Sequence, residues 1–197
     1  MPRILTNQYI KLDPAFQRRD LEGIELDLGC GKGGFTLQLA RKYPRRLILA
    51  TDIMLGRLRR LERKVQRQKL HNVELLRTPV SDLLAWQLPT ECVDRMHLLC
   101  PDPWPKARHR HKRLINAEFL KRAAQVLKTG GVLHFSSDDP HYFQHTLNLL
   151  KKLSWFEEFP EGIEDLRDLS SDFEKKWRQE GKHVPRLGWR KKPDLLC

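Results

Sequence analysis

The chain has 197 residues, which at the usual ~100–200 residues per domain fits one globular unit with room for a substantial core. Hydrophobic residues make up 40% of it and charged residues 31%, in runs broken by glycine, proline and charge, which excludes a disordered tail and a fibrous repeat. The formal net charge of +12 makes a polyanion, nucleic acid first, the natural partner.

No apolar run reaches the ~18–20 residues of a spanning helix, and Met1-Pro2-Arg3-Ile4-Leu5 lacks a secretory pattern, so a cytoplasmic chain without membrane association is expected. Ile24 to Leu28 form a short apolar run that ends in Gly29-Cys30-Gly31-Lys32-Gly33-Gly34. Phe35, Leu39, Ala40 and Tyr43 then recur at helical spacing up to Pro44, which predicts strand, tight turn, helix. Leu47 to Thr51 predicts a second buried strand finishing at Asp52. From Leu55 to Leu70, Leu58, Leu61 and Val65 mark one helical stripe, and Arg57, Arg59, Arg60, Arg63, Lys64 and Arg67 fill the rest. A third strand is expected at Val73–Leu76, a short helix at Leu83–Leu88 and a fourth strand at Val93–Leu99. Phe119, Leu120, Ala123, Ala124 and Leu127 predict a helix over 118–127, closed by the glycine signal Thr129-Gly130-Gly131. Val132–Phe135 reads as the fifth strand and His141–Leu153 as a helix; the tail from Trp155 to Trp189 suits extra strands at one sheet edge. This alternation predicts an α/β fold, a mostly parallel sheet covered on both faces, in a single domain over 1–197.

The cysteines Cys30, Cys92, Cys100 and Cys197 lack the short spacing of a zinc or redox pair, so no metal is expected. In such sheets ligands sit beyond the carboxyl ends of the strands, where glycine turns let backbone approach. Gly29, Gly31 and Gly34 satisfy the dinucleotide pattern, with Asp52 where a ribose acid would stand, so a nicotinamide cofactor stays open at this point. Asp27, just before the glycines, suits instead a ligand carrying an ammonium and a sulfonium, as S-adenosylmethionine does. A P-loop is excluded, because no Lys-Ser or Lys-Thr closes the turn.

After the fourth strand the chain reads Pro101-Asp102-Pro103-Trp104-Pro105-Lys106-Ala107-Arg108-His109-Arg110-His111-Lys112-Arg113. The prolines fix the backbone, Trp104 offers a face on which a base stacks, Asp102 can accept from a base edge, and Arg108 with its basic neighbours suits phosphates.

These residues closely resemble the signature of the bacterial tRNA (guanine-N7)-methyltransferases, and the resemblance runs from about Leu26 to Val184. It implies a Rossmann-like class I methyltransferase fold with an antiparallel C-terminal edge, S-adenosylmethionine as cofactor, and tRNA as partner, modified at guanine 46 of the variable loop. It further implies a short N-terminal arm (1–22), a substrate-side extension (155–197), and a monomer or homodimer. Asp27, the turn at Gly29, Gly31 and Gly33, and Asp52 resemble the family's cofactor site; Asp102 resembles its catalytic and cofactor-contacting aspartate. Lys106 and Asp138 resemble substrate-binding residues. Ser171-Asp172-Phe173-Glu174 resembles the family's Thr-Lys-Phe-Glu block at the target nucleotide. The chain departs from the pattern at the end of the third strand, where Thr78-Pro79-Val80 replaces Gly-Asp-Ala and puts Pro79 in the place of a cofactor-binding acid; Asp82 is the candidate substitute. Two alternatives stand beside this reading: a methyltransferase acting on another RNA base or a small molecule, and a basic RNA-binding relative without catalysis.

Overall fold

A computed structural model of the protein describes Ile4, Leu5 and residues 21–193. Most of the expected N-terminal arm, the end of the C-terminal extension and Cys197 lie outside the described residues. Along the chain run β1 (Ile4–Leu5), β2 (Gly23–Leu28), α1 (Gly34–Lys42), β3 (Arg46–Thr51), α2 (Leu55–Arg67) and β4 (Val73–Leu76). A short α3 (Val80–Asp82), prolonged by a π turn at Leu83–Gln87, leads to β5 (Val93–Leu99), a 3-10 segment at Ala107–Lys112, α4 (Ala117–Val126) and β6 (Leu127–Ser136). The chain closes with α5 (Pro140–Lys152), β7 (Phe156–Glu158), a second 3-10 segment at Pro160–Leu166, α6 (Asp172–Gln179) and β8 (Arg186–Lys191).

The strands form one sheet in the order β1-β4-β3-β2-β5-β6-β8-β7. From β1 to β6 every pairing is parallel, and β8 runs antiparallel to both β6 and β7. This is the expected α/β architecture with its antiparallel C-terminal edge. The order reverses between β2 and β5, and such a switch point opens a crevice beyond the carboxyl ends of both strands. The glycine turn follows β2 and the proline-rich segment follows β5, so distant motifs meet there.

Strand periodicity explains the two faces. Leu26, Leu28, Met96, Leu98, Leu133 and Phe135 point to the face covered by the π turn, α4 and α5. The opposite face, under α1, α2 and the 3-10 segment at Pro160–Leu166, is apolar beneath α2, where Ile48, Ala50, Val73 and Leu75 meet Leu58, Leu61 and Val65. Beneath α1 it is polar. The register sets Glu25 beside Arg95 and Asp27 beside His97, with His134 next in line. Glu25, His97 and His134 are fully buried. Arg95 donates to Glu25 at 2.9 Å and to Asp165 at 2.8 Å; His97 Nε2 meets Glu25 at 2.8 Å and His97 Nδ1 meets His134 Nδ1 at 3.1 Å. Burial alone would raise the Glu25 carboxyl, but hydrogen bonds and charge from His97 and Arg95 outweigh it and bring it down to about 2.

The structure adds β1, the 3-10 segment at Pro160–Leu166 and α6 to the expected elements, and it changes the segment after α4. Thr129-Gly130-Gly131 does not close a helix: α4 passes directly into β6 at Leu127, and the glycines lie inside the strand. The β5–β6 register jumps from Val93↔Leu127 to Arg95↔Val132, and this bulge holds Gly130 at φ +79°. Lys128, at the start of the bulge, holds Asp94 at 2.9 Å.

Candidate active site

The switch point carries an open cleft of about 690 Å³. Its floor is the turn from Asp27 to Lys32; its walls are Asp52–Met54 and Arg57, Thr78 and Val80, Leu98–Asp102 with Trp104, Lys112 and Leu114, and Ser171–Phe173 with Lys176. Of the expected site residues, Asp27, Gly29, Gly31, Asp52, Asp102, Trp104, Ser171, Asp172 and Phe173 line it together. They come from four separate stretches of sequence.

Gly29 and Gly31 hold left-handed φ values of 69° and 58°, which turn the chain sharply out of β2. Gly33, at φ 78°, also has a packing role: a Cβ there would come within 2.3 Å of Leu61, so glycine at this position lets α2 pack against the turn. The Asp27 carboxylate accepts from Thr36 Oγ1 at 2.5 Å, across the first turn of α1. Burial pushes its carboxyl up to about 6; the Thr36 bond and His97 oppose that rise, and Asp52 and Asp172 add to it. Asp52 accepts from the backbone N–H of Gly31 at 3.1 Å and of Met54 at 2.7 Å, bonds that fix its rotamer. Arg57 also approaches Asp52 at 3.4 Å, and with about four lone-pair sites on a carboxylate Asp52 keeps room for a further donor. Beside it Ile53 and Met54 stand 64% and 50% exposed, an apolar ledge suited to a flat base.

Pro79 itself does not line the cleft; its neighbours Thr78 and Val80 do, and the Pro79 carbonyl accepts from Leu83 N–H as α3 begins. Asp82 does not take the vacant acid's place: it lies outside the cleft lining and accepts from Ser81 at 3.2 Å. That end of the cleft is therefore bounded by backbone and apolar surface.

The proline-rich segment is held from below. Cys100 N–H donates to the Ser136 carbonyl at 2.9 Å, and Arg113 Nε donates to the Pro103 carbonyl at 2.8 Å. Arg113 is 7% exposed, and its guanidinium lies 4.7 Å from the Tyr142 ring centroid. It is thus a buried brace, where the run to Arg113 had been expected to face phosphates. Cys100 and Trp104 adopt φ values of +48° and +43°; for a bulky residue that conformation costs roughly 1–3 kcal/mol and persists only where surroundings enforce it. Trp104 is set edge-on to His109, with Lys112 Nζ 4.9 Å from its ring centroid. Lys106 and Arg108 are exposed and lie outside the cleft lining, on its rim. Asp138 is half-buried and close enough to Cys100 to help raise that thiol to about 12, though burial is the larger cause.

The 171–174 block divides. Ser171, Asp172 and Phe173 face the cleft, and Phe173 is 51% exposed at its mouth. Glu174 faces inward and is fully buried. It accepts from Ser171 N–H at 2.7 Å and from Arg186 at 2.9 Å, so its carboxylate anchors the block in place of meeting a nucleotide. Asp172 reaches back to α1 and accepts from Gly34 N–H at 3.0 Å. Sequence reasoning missed the supports Thr36 and Arg186 and the lining residue Lys176, and read Arg113 only as part of the basic run. Only the S-x-x-E spacing of 171–174, a capping-box signal, was available to reveal the inward turn of Glu174.

Among the described residues no group of three or more His, Cys, Asp or Glu is placed to hold a metal, and no helix is long and apolar enough to cross a membrane.

Comparison with known proteins adds three findings. Residues 22–187 match the profile of a family described as "Putative methyltransferase". A tRNA (guanine-N(7)-)-methyltransferase of Syntrophotalea carbinolica is 31% identical over 175 residues, covering 87% of this chain and 75% of that protein. One of Nitrosospira multiformis is 36% identical over 125 residues, covering 64% of this chain and 55% of that protein. The chain thus spans between about half and three quarters of the length of these curated relatives. Among solved structures, the 16S rRNA methyltransferase KamB superposes with a TM-score of 0.66 at 18% identity, over 92% of this chain and 93% of that one, a likeness of fold.

Proposed function

We infer, from the premise that this chain belongs to the bacterial tRNA (guanine-N7)-methyltransferase family, that it methylates N7 of guanine 46 in the tRNA variable loop, using S-adenosylmethionine. The observation that carries this reading is the meeting, in one cleft, of the glycine turn with its two acids and the strained loop bearing Asp102 and Trp104.

The residues present fit the cofactor. Asp27 would face its ammonium, the N–H groups of the glycine turn its carboxylate, Asp52 its ribose hydroxyls, and the Ile53–Met54 ledge its adenine. When bound, it supplies an electrophilic methyl group on a sulfonium. The third-strand acid of the family is absent at Pro79, so the adenine amino group has only backbone acceptors and Thr78 nearby.

Guanine N7 carries a lone pair and no proton, so no general base is needed. Transfer to N7 would leave positive charge on the purine, which the side chains around it must offset. The protein's part is placement and charge. Trp104 and Phe173 offer aromatic faces at the cleft for a guanine drawn out of its stack. Asp102 accepts from the N–H donors of the guanine edge, with Asp138 behind the loop, and a carboxylate there favours the cationic purine that develops. Good orientation alone can supply roughly 7–11 kcal/mol of the barrier reduction, which gives the buried Arg113 brace its purpose. Lys106 and Arg108 take phosphates at the rim.

Incubation with radiolabelled cofactor and bulk tRNA, followed by strand cleavage at N7-methylguanosine, tests the proposal. Label in tRNA with cleavage at position 46 is expected. Label at another base, or none with cofactor bound, would refute it.

A further inference from the structure

Several of the protein's surface cations are paired, while Lys121, Lys151, Lys152, Lys175 and Arg178 stand exposed and singly without an ion pair among the described residues. Lys42 holds Asp168 at 2.7 Å, Arg122 holds Glu118 at 2.8 Å, Lys128 holds Asp94 at 2.9 Å, Arg167 holds Glu164 at 2.7 Å, and Arg190 holds Glu157. Helix α2 gathers unpaired cations on one face. It carries six basic residues and one acid in 13 positions. Leu58, Leu61 and Val65 are its fully buried face, while Arg59, Arg60, Arg63 and Arg67 are exposed. None of these four arginines has a carboxylate or hydrogen-bond partner among the described residues.

The arrangement works against the helix itself. Arg59 and Arg63, Arg60 and Lys64, and Arg63 and Arg67 are like charges four residues apart, on neighbouring positions of one face. Arg57, Arg59 and Arg60 crowd the positive end of the helix dipole, and no acid occupies the first turn. A charge pattern that the fold does not need and that opposes its own helix calls for an external anion.

Position says which. Met54 and Arg57, at the start of α2, line the cleft, and Lys64 reaches back to donate to the Lys32 carbonyl of the glycine turn at 2.9 Å. From that rim the 13 residues run ~20 Å outward, far enough to face several phosphates. On the other side of the same cleft Lys106, Arg108 and Arg110 are likewise exposed and without carboxylate partners among the described residues. The cleft thus lies between two rows of unpaired cations. A nucleotide held at Trp104 has RNA on both sides of it, and the 106–112 run can serve only one.

We propose that the exposed face of α2, through Arg59, Arg60, Arg63 and Arg67, is a second RNA-binding surface that grips the phosphate backbone of the tRNA body on the cofactor side of the cleft. This rests on tRNA being the substrate. Its effect is to fix the tRNA's approach so that the variable loop reaches Asp102.

The test is the variant Arg59→Gln, Arg60→Gln, Arg63→Gln, Arg67→Gln, with its Arg→Lys counterpart, titrated with tRNA from about 50 to about 200 mM salt. Each lost phosphate contact flattens the log–log salt dependence by roughly 0.7–0.9. The Gln variant should therefore lose about 2–4 units of slope, and the Lys variant should restore them. KM for tRNA should rise at least about tenfold by the same lost contacts, with kcat and cofactor affinity held. The Gln variant should melt no lower than the parent, since repulsion is relieved. An unchanged slope, or weaker binding with the slope intact, overturns the surface. Preferential binding of anionic lipid vesicles over tRNA, lost in the same variant, also overturns it. A parent protein that binds tRNA but leaves no N7-methylguanosine would sink the function and not this surface, because the slope comparison needs binding alone.

Discussion

At the scale of single residues, Asp27 has the most informative chemistry. Its carboxyl is raised to about 6, chiefly by burial, so below that pH the free protein holds it protonated. A ligand ammonium favours the ionised form. Cofactor affinity should therefore strengthen as pH rises from 5 toward 7, by up to about tenfold per unit below the pKa, and level off above. Calorimetric titration with S-adenosylmethionine over this range measures it, and Asp27→Asn should give a flat, weak profile. A parent profile independent of pH would remove Asp27 from the cofactor site. The position of Asp27 was legible in the sequence, from its place before the glycines. Its Thr36 partner was not, because Thr36 looks like an ordinary helix residue until the turn folds it back over β2.

At the scale of elements, α1 shows how the two sides of the cleft are joined. Its N-cap is Gly33, without a side-chain acceptor. Asp172 supplies one from 138 residues away, and Gln38 continues the contact to the Ser170 carbonyl at 2.8 Å, followed by Lys42 to Asp168. One face of α1 thereby holds the returning segment that bears Ser171 and Phe173. Gly34 permits it, since a Cβ there would lie 2.6 Å from Asp172. Asp172→Ala should cost about 1 kcal/mol of stability, the usual worth of a cap, while Asp172→Asn keeps most of it; urea unfolding of the pair decides, and equal loss in both would contradict a capping role. The strands β4 and β5 were legible to the residue, because apolar positions such as Val73, Leu75 and Leu76 or Val93, Met96, Leu98 and Leu99 are bounded by turn residues. The glycines after α4 were misread because a bulge and a helix end use the same left-handed residue. Glu174 was assigned to the substrate through family resemblance, although its spacing from Ser171 already described a capping box.

At the scale of the whole molecule, the sheet sets a polar row of Glu25, Arg95, His97 and His134 beneath α1, assembled by register from three strands. No local pattern announces it, since each residue alone reads as an interruption in an apolar run. Removing one member of a buried ion pair leaves its partner uncompensated, so Glu25→Ala should cost roughly 3–5 kcal/mol in denaturant unfolding; a loss below about 1 kcal/mol, the worth of an exposed pair, would contradict that. The same sheet brings the glycine turn and the proline-rich loop to one switch point, in a chain whose net charge is +12. Asp102 is the carboxylate of that loop which faces the cleft. Single-turnover methyl transfer to tRNA, measured for Asp102→Ala beside the parent at saturating cofactor, tests its role most directly. A rate lower by about 100-fold or more is expected, the scale of losing one preorganised electrostatic group, with tRNA and cofactor affinities held within a few-fold; a rate near that of the parent would remove Asp102 from the reaction.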